Sequence, residues 1–322
     1  QSGIVLHSED DLQDVADTAD HRPDYPESLD SLTIDTLDEP PIVLLRDVLS
    51  SAMNITDLVL LLPFDAPQDL LAGLRFRRLA LFKTNMRHGL LISFFAAHPS
   101  VKIASLGSCG RGALKNCPLG GCNLSHVLVV ECPCSCVDQL SHRKLSRLTI
   151  ESQGDTNFNA PAALKSLSNP LPCLSSLVID FHPNDYDILD TIIRVAPNLS
   201  TLKLLEKSQG QRGCQSRRAW NDRGRWFSSL LQLGDLEELA LRTSSCLLPS
   251  PLILDEERAA LITWVTRFNR SQHAPISHPT ISCLRIWYQS GAGSDIITVW
   301  SKSSGTWCNI SRTQNPPVNA MF

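Results

Sequence analysis

One short pattern, apolar-x-x-apolar-x-apolar, returns ten times along the 322 residues and restricts the fold more than any other feature. In the first half it reads Leu29-x-x-Leu32-x-Ile34, Ile55-x-x-Leu58-x-Leu60, Phe76-x-x-Leu79-x-Leu81, Val101-x-x-Ala104-x-Leu106 and Leu124-x-x-Val127-x-Val129. The second half carries Leu145-x-x-Leu148-x-Ile150, Leu174-x-x-Leu177-x-Ile179, Leu199-x-x-Leu202-x-Leu204, Leu236-x-x-Leu239-x-Leu241 and Ile281-x-x-Leu284-x-Ile286. Residues two apart share one face of a strand, so the last two positions of each copy predict a strand with one core-facing side. Pro99, Pro172, Pro197 and Pro279 stand two residues ahead of four copies. Proline suits that place because no ladder hydrogen bond is lost there.

First positions are spaced by 26, 21, 25, 23, 21, 29, 25, 37 and 45 residues. The first seven spacings lie in the window of roughly 20 to 29 residues of leucine-rich repeats. Helical stripes fill several intervals. Asp185–Ala196 has Ile188, Ile192 and Val195 behind Asn184 as N-cap, and Leu254–Phe268 aligns Leu261, Trp264, Val265 and Phe268. Gly89–Ala97 and Trp226–Leu233 are shorter stripes. Strand alternating with helix at this period predicts an α/β leucine-rich-repeat solenoid, a curved parallel sheet with helices on the convex side and irregular repeats. Three buried aliphatic side chains cannot offset the entropy of ordering about 25 residues, so the copies must stack.

Apolar residues make up 43% of the chain, charged residues 19%, and the net charge is −4. That balance points away from a polybasic nucleic-acid binder and from a highly charged disordered chain. Charge is unevenly placed: residues 1–40 carry twelve acids against Arg22 alone. Residues 1–27 are therefore expected as an acidic, poorly ordered segment, with the solenoid over 28–322. A basic loop is expected at 207–225, where Lys207, Arg212, Arg217, Arg218, Arg223 and Arg225 surround Trp220. A cap is expected at about 289–322, with a hairpin turning at Ser303-Ser304-Gly305 between Trp300 and Trp307. The longest apolar stretches, Leu58–Leu62 and Leu90–Ala97, fall short of a membrane span, and residues 1–20 lack a signal-peptide core. A cytoplasmic or nuclear protein with reduced thiols is the expectation. The chain starts at Gln1 and not Met, which is read as a trace of truncation.

No catalytic motif stands out in the sequence. Six of the eleven cysteines fall within 109–136, at Cys109, Cys117, Cys122, Cys132, Cys134 and Cys136. Clustered thiolates suit zinc. The segment has no Cys-x-x-Cys, however, and buried thiols acting as small hydrophobes are the favoured reading. No metal and no cofactor are expected. The glycines of 107–121 lack Gly-Lys-Ser/Thr, and neither Gly-x-Ser-x-Gly nor His-Glu-x-x-His occurs. His98, His182 and His278 each precede proline, which assigns them to punctuation of the repeat. The chain is not expected to be an enzyme.

The segments HPSV (98–101), APNLSTLKLLE (196–206), DLEELALRT (235–243) and HPTISCLRIWY (278–288) resemble the leucine-rich region of F-box proteins from mushroom-forming fungi. The resemblance covers most of residues 28–322. It implies that the repeats select a protein substrate while an N-terminal F-box recruits a Skp-type adaptor and a cullin ligase. Residues 1–27 show no Leu-Pro-rich helical F-box, so those two partners are expected only if one lies upstream of Gln1. A protein partner on the concave face is expected, with no membrane and no nucleic acid. Strand positions pointing away from the core nominate the binding residues: Arg78, Phe82, Arg147, Thr149, Ser176, Asp180, Thr201, Lys203, Glu238, Arg242, Arg285 and Trp287. Two alternatives stand beside this reading. One is a free-standing scaffold without a ubiquitin connection, the other an RNA-binding repeat protein using the 207–225 loop.

Overall fold

Eight of the ten pattern copies become strands where the sequence places them, in a computed structural model that describes residues 2–22, 28–63, 65–110, 116–151, 160–207, 218–243, 254–269, 274–289 and 295–317. The chain divides into two compact units, Gln1–Leu145 and Ser146–Phe322. Both are α/β, with mostly parallel strands.

The first unit runs β1 (Gly3–Leu6), β2 (Ser31–Asp35), β3 (Asp57–Leu61), β4 (Leu81–Thr84), β5 (Ile103–Leu106) and β6 (Val129–Pro133), parallel and adjacent in chain order. Register aligns Ile4, Leu32, Leu58, Phe82, Ala104 and Val130 in one column across the strands. Leu6, Ile34, Leu60, Thr84 and Leu106 form the next column, and all five are buried. Between strands lie α1 (Glu9–His21), α2 (Ile42–Ser51), α3 (Ile92–Ala97) and α4 (Val137–Leu140), with 3-10 turns at His88–Leu91, Pro118–Gly121 and Cys134–Cys136.

Three expectations change here. Residues 3–21 are not a loose acidic arm: they form β1 and α1. Leu12 and Val15 are buried, and α1 packs on α2. Ser8 and Asp11 form a capping box, the Asp11 N–H donating to Ser8 Oγ at 3.1 Å and the Ser8 N–H to Asp11 Oδ2 at 3.0 Å. Glu9, Asp10 and Asp11 also sit where the helix dipole favours negative charge. The second change is a slip of three residues in the Phe76 copy. Leu79-x-x-Phe82-x-Thr84 occupies the core, so Phe82 is fully buried and Arg78 lies in the turn before β4. The third is the same slip in the Leu124 copy, where Val127-x-x-Val130-x-Cys132 points inward.

The second unit contains β7 (Arg147–Glu151), α5 (Ala160–Ser166), β8 (Ser176–Phe181), α6 (Ile188–Val195), β9 (Thr201–Glu206), α7 (Arg223–Leu230), β10 (Glu238–Thr243) and α8 (Leu254–Val265). A separate antiparallel pair, β11 (Thr266–Asn269) and β12 (Ala274–Ser277), precedes β13 (Cys283–Tyr288). Strands β7, β8, β9, β10 and β13 are parallel, and Leu148, Leu177, Leu202, Leu239 and Leu284 form one buried column. Successive helices pack on one another, α5 on α6, α6 on α7 and α7 on α8.

The C-terminal hairpin closes this sheet. β14 (Ile296–Ser303) and β15 (Thr306–Gln314) add antiparallel strands beside β13. Their two-residue turn has Ser304 and Gly305 at φ 50° and 81°, a mirror-image turn that follows the twist of the strands. The Trp300 Nε1–H donates to Glu257 Oε1 at 2.9 Å, and burial pushes the Glu257 carboxyl above the ordinary range.

Part of the expected basic loop, residues 208–217 with Arg212 and Arg217, lies outside the described residues. Beyond it the chain is structured: Ala219–Asn221 is a 3-10 turn and Arg223 begins α7. Trp220 is buried against Phe181, Trp226 and Trp264, with ring centroids 6.0 to 6.4 Å apart. Among the described residues, no helix is long and apolar enough to cross a membrane.

Candidate functional site

Because side chains alternate along a strand, each core column has a counterpart on the opposite sheet face. In the first unit that face carries an aliphatic stretch among polar residues. Leu81, Ile103 and Val129 stand in register on three adjacent strands, with Ile103 36% exposed and the other two half-buried. The next row carries Val59, Lys83, Ser105 and Glu131, and the Ser105 hydroxyl donates to Glu131 Oε2 at 2.8 Å. Val5 on β1 is 55% exposed. None of these residues is among the binding residues named from sequence, and the slip at Phe76 and Leu124 had placed Leu81 and Val129 in the core. Of the two nominated here, Phe82 packs inward against Phe94 and Phe95, at centroid distances of 4.4 and 6.0 Å.

The second unit brings most of the other nominated residues onto one face. Arg147 is exposed on β7, and Thr149, Ser176 and Thr201 are half-buried on adjacent strands. Lys203, Glu238, Arg242 and Arg285 follow on β9, β10 and β13, also half-buried. Arg285 and Glu238 form an ion pair at 3.1 Å. Burial pulls the Lys203 ammonium below its ordinary range, against the opposing pull of Glu238. Two nominations are corrected. Trp287 is 4% exposed, its Nε1–H donating to Asp295 Oδ2 at 2.9 Å, and it belongs to a buried cluster with Val178, Leu205, Ala240 and Ile297. Asp180 is 9% exposed, with Lys207 Nζ at 3.7 Å. Part of this face is thus filled from within the unit, because Leu177-Val178-Ile179, Leu204-Leu205, Leu239-Ala240-Leu241 and Ile286-Trp287 carry apolar residues at consecutive positions, against strict alternation.

Two cationic residues near Trp220 are paired too. Arg218 reaches the fully buried Glu206 carboxylate at 3.2 Å, and Arg225 reaches Asp190 at 2.5 Å. A cavity of about 280 Å³ beside them is lined by Tyr186, Arg218, Ala219, Asp222 and Arg225. With the ring buried and both guanidiniums neutralised, these residues offer neither a stacking platform nor an excess of positive charge.

Among the described residues, one group has metal-ligand chemistry: His88, Cys109, Cys117 and Cys136, all buried, with ligand atoms within 4.8 Å of one another. The Cys117 thiol is lowered to about 4, first by its hydrogen bond with Cys136 and then by His88, while Cys136 is pushed upward by the same contact. Six clustered cysteines were the signal in the sequence; convergence with a histidine from another turn had no local signature.

No protein-family model matches the chain, and no curated protein matches it either.

Proposed function

We propose that the chain is a leucine-rich-repeat solenoid, with its sheet curved and its helices on the convex side, that binds a protein partner through the strand face opposite the core. The reading extends to substrate recognition for a ubiquitin ligase, in the manner of the F-box proteins its segments resemble. One observation carries it: the in-register row Leu81–Ile103–Val129, left half-exposed and flanked by Lys83 and the Ser105–Glu131 pair. Apolar side chains inside a polar border are the composition of a protein-binding patch.

The experiment is affinity purification of the native gene product, tagged in its own cells, followed by mass spectrometry, beside the double variant Leu81→Glu/Ile103→Glu. A stoichiometric partner present with the parent chain and lost with the variant, at an unchanged melting temperature, supports the reading. A Skp-type adaptor and a cullin in the same eluate support the ligase extension. Capture that survives the double variant overturns the choice of face. A stoichiometric partner without adaptor or cullin makes the protein a free-standing scaffold.

A further inference from the structure

We propose that His88, Cys109, Cys117 and Cys136 form a structural zinc site that ties together successive strand connections of the first unit. The ligands come from three different turns. His88 opens the 3-10 turn after β4, Cys109 and Cys117 follow β5, and Cys136 ends the 3-10 turn after β6. Stacking those connections stacks the ligands, so no single segment needs a Cys-x-x-Cys.

The distances fit a tetrahedral ion. His88 Nδ1 lies 3.1 Å from Cys117 Sγ and 3.6 Å from Cys136 Sγ, and all four ligand atoms fall within 4.8 Å. A zinc ion with bonds of about 2.3 Å to sulfur and about 2.0 Å to nitrogen holds its ligands about 3.5 to 3.8 Å apart. The widest separation therefore needs to close by only about 1 Å.

The histidine is oriented for the task. Its Nε2 lies 3.1 Å from the Gly107 carbonyl oxygen. A carbonyl only accepts, so Nε2 carries the proton and Nδ1 presents a lone pair to the three sulfurs. A glycine is required at that backbone position, since a Cβ at Gly107 would stand 2.7 Å from Asn85 Cα. The Gln139 side-chain oxygen accepts the Cys117 N–H at 3.3 Å and holds a second ligand. Three sulfurs and one imidazole nitrogen form a soft donor set, unsuited to magnesium or calcium. Four protein ligands fill a tetrahedron and leave no open position, which marks a structural rather than a catalytic ion. A cavity of about 450 Å³, lined by Arg87, Gly89, Cys109 and Gly110 among others, gives a path to one ligand.

The test uses the full chain, purified under reducing conditions and offered zinc, or cobalt(II) as a spectroscopic probe. One zinc per chain after dialysis is expected, and the cobalt form should show a sulfur-to-cobalt charge-transfer band with the intense visible bands of a tetrahedral ion. Cys117→Ser and His88→Ala should each lower retained metal at least tenfold, and Cys122→Ser should keep it. The parent chain's cobalt spectrum reads the site even if a variant misfolds. A parent chain that takes up neither metal overturns the proposal, as does metal retained in full by both folded ligand variants.

Discussion

The two units align the same apolar columns across parallel strands, yet they finish the opposite sheet face in contrary ways. In the second unit, Val178, Leu205, Ala240, Trp287 and Ile297 fill part of it, and Glu238 pairs with Arg285. The first unit leaves Leu81, Ile103 and Val129 half-exposed, and its later connections are short 3-10 turns lined with sulfur. Burial on both sheet faces gives the second unit its own means of stability. The first unit has one buried face and one available face. That difference is the ground on which we propose the binding role for the first unit, where a metal cross-link would have a structural purpose.

The largest effect is expected from Leu202→Asp in the second unit. Leu202 is fully buried between Leu177 and Leu239, so the carboxylate would enter an apolar column without a partner. A cost above about 4 kcal/mol follows from burying an unpaired charge. Amide hydrogen exchange should show protection lost across 146–322 first. A melt and exchange pattern equal to the parent chain would remove this column from the core.

Phe82→Ala probes the first unit, with an expected loss of about 3–5 kcal/mol for a buried aromatic ring. Arg78→Ala should stay within about 0.5 kcal/mol, as a surface change does. Chemical denaturation of both variants reads the strand register directly, because the pattern taken from sequence points both side chains away from the core and predicts a small effect for each.

That pair of variants also shows where the sequence was legible. Leu174, Leu199, Leu236 and Ile281 each open a copy whose three apolar residues are all buried, and one register fits. Around β4 the residues Phe76, Leu79, Leu81 and Phe82 are all apolar, so two registers fit locally. The buried end of the true one is Thr84, which a hydrophobic template passes over. At β6 the same place is held by Cys132. Pairing with neighbouring strands settles the choice, and that information is not local. In α1 the averaged acidity of residues 9–21 hid the two buried positions, Leu12 and Val15. The hairpin turn was readable because Ser-Ser-Gly between tryptophan-bearing strands has few other solutions. The Cys–His group was not, since its members meet only when successive turns stack.

Titration should separate the units further. His98 donates through Nδ1 to the Phe94 carbonyl at 2.7 Å and accepts the Phe76 N–H through Nε2 at 3.0 Å. His278 donates through Nε2 to the Leu230 carbonyl at 2.9 Å and accepts the Ile281 N–H through Nδ1 at 3.2 Å. Burial lowers both below 6.5, and lowers His142 as well. The unfolded chain takes up these protons first as pH falls, so the stabilisation is complete above about 6.5 and is lost as pH drops toward the folded values. Glu257 in the second unit has the opposite sign: its raised pKa makes the native state costlier as pH rises above 4.5. Between pH 7.5 and 5.5 the first unit should therefore lose more exchange protection than the second. Equal losses would mean that buried imidazoles do not distinguish the two units.

The smallest effect is expected at the Glu238–Arg285 pair. Its side chains are about a quarter exposed, and a partly screened ion pair contributes about 0.2–1 kcal/mol in a double-mutant cycle. Arg285 spends its charge on Glu238, and Lys203 is half-buried with that same carboxylate as its attractive neighbour. Reversing both cations, Lys203→Glu with Arg285→Glu, should lower the melt slightly by crowding carboxylates and leave partner capture intact. Leu81→Glu/Ile103→Glu should do the reverse, removing capture while the melt holds. Capture lost only with the Lys203/Arg285 variant would move the binding face to the second unit and make the open aliphatic row of the first an ordinary surface.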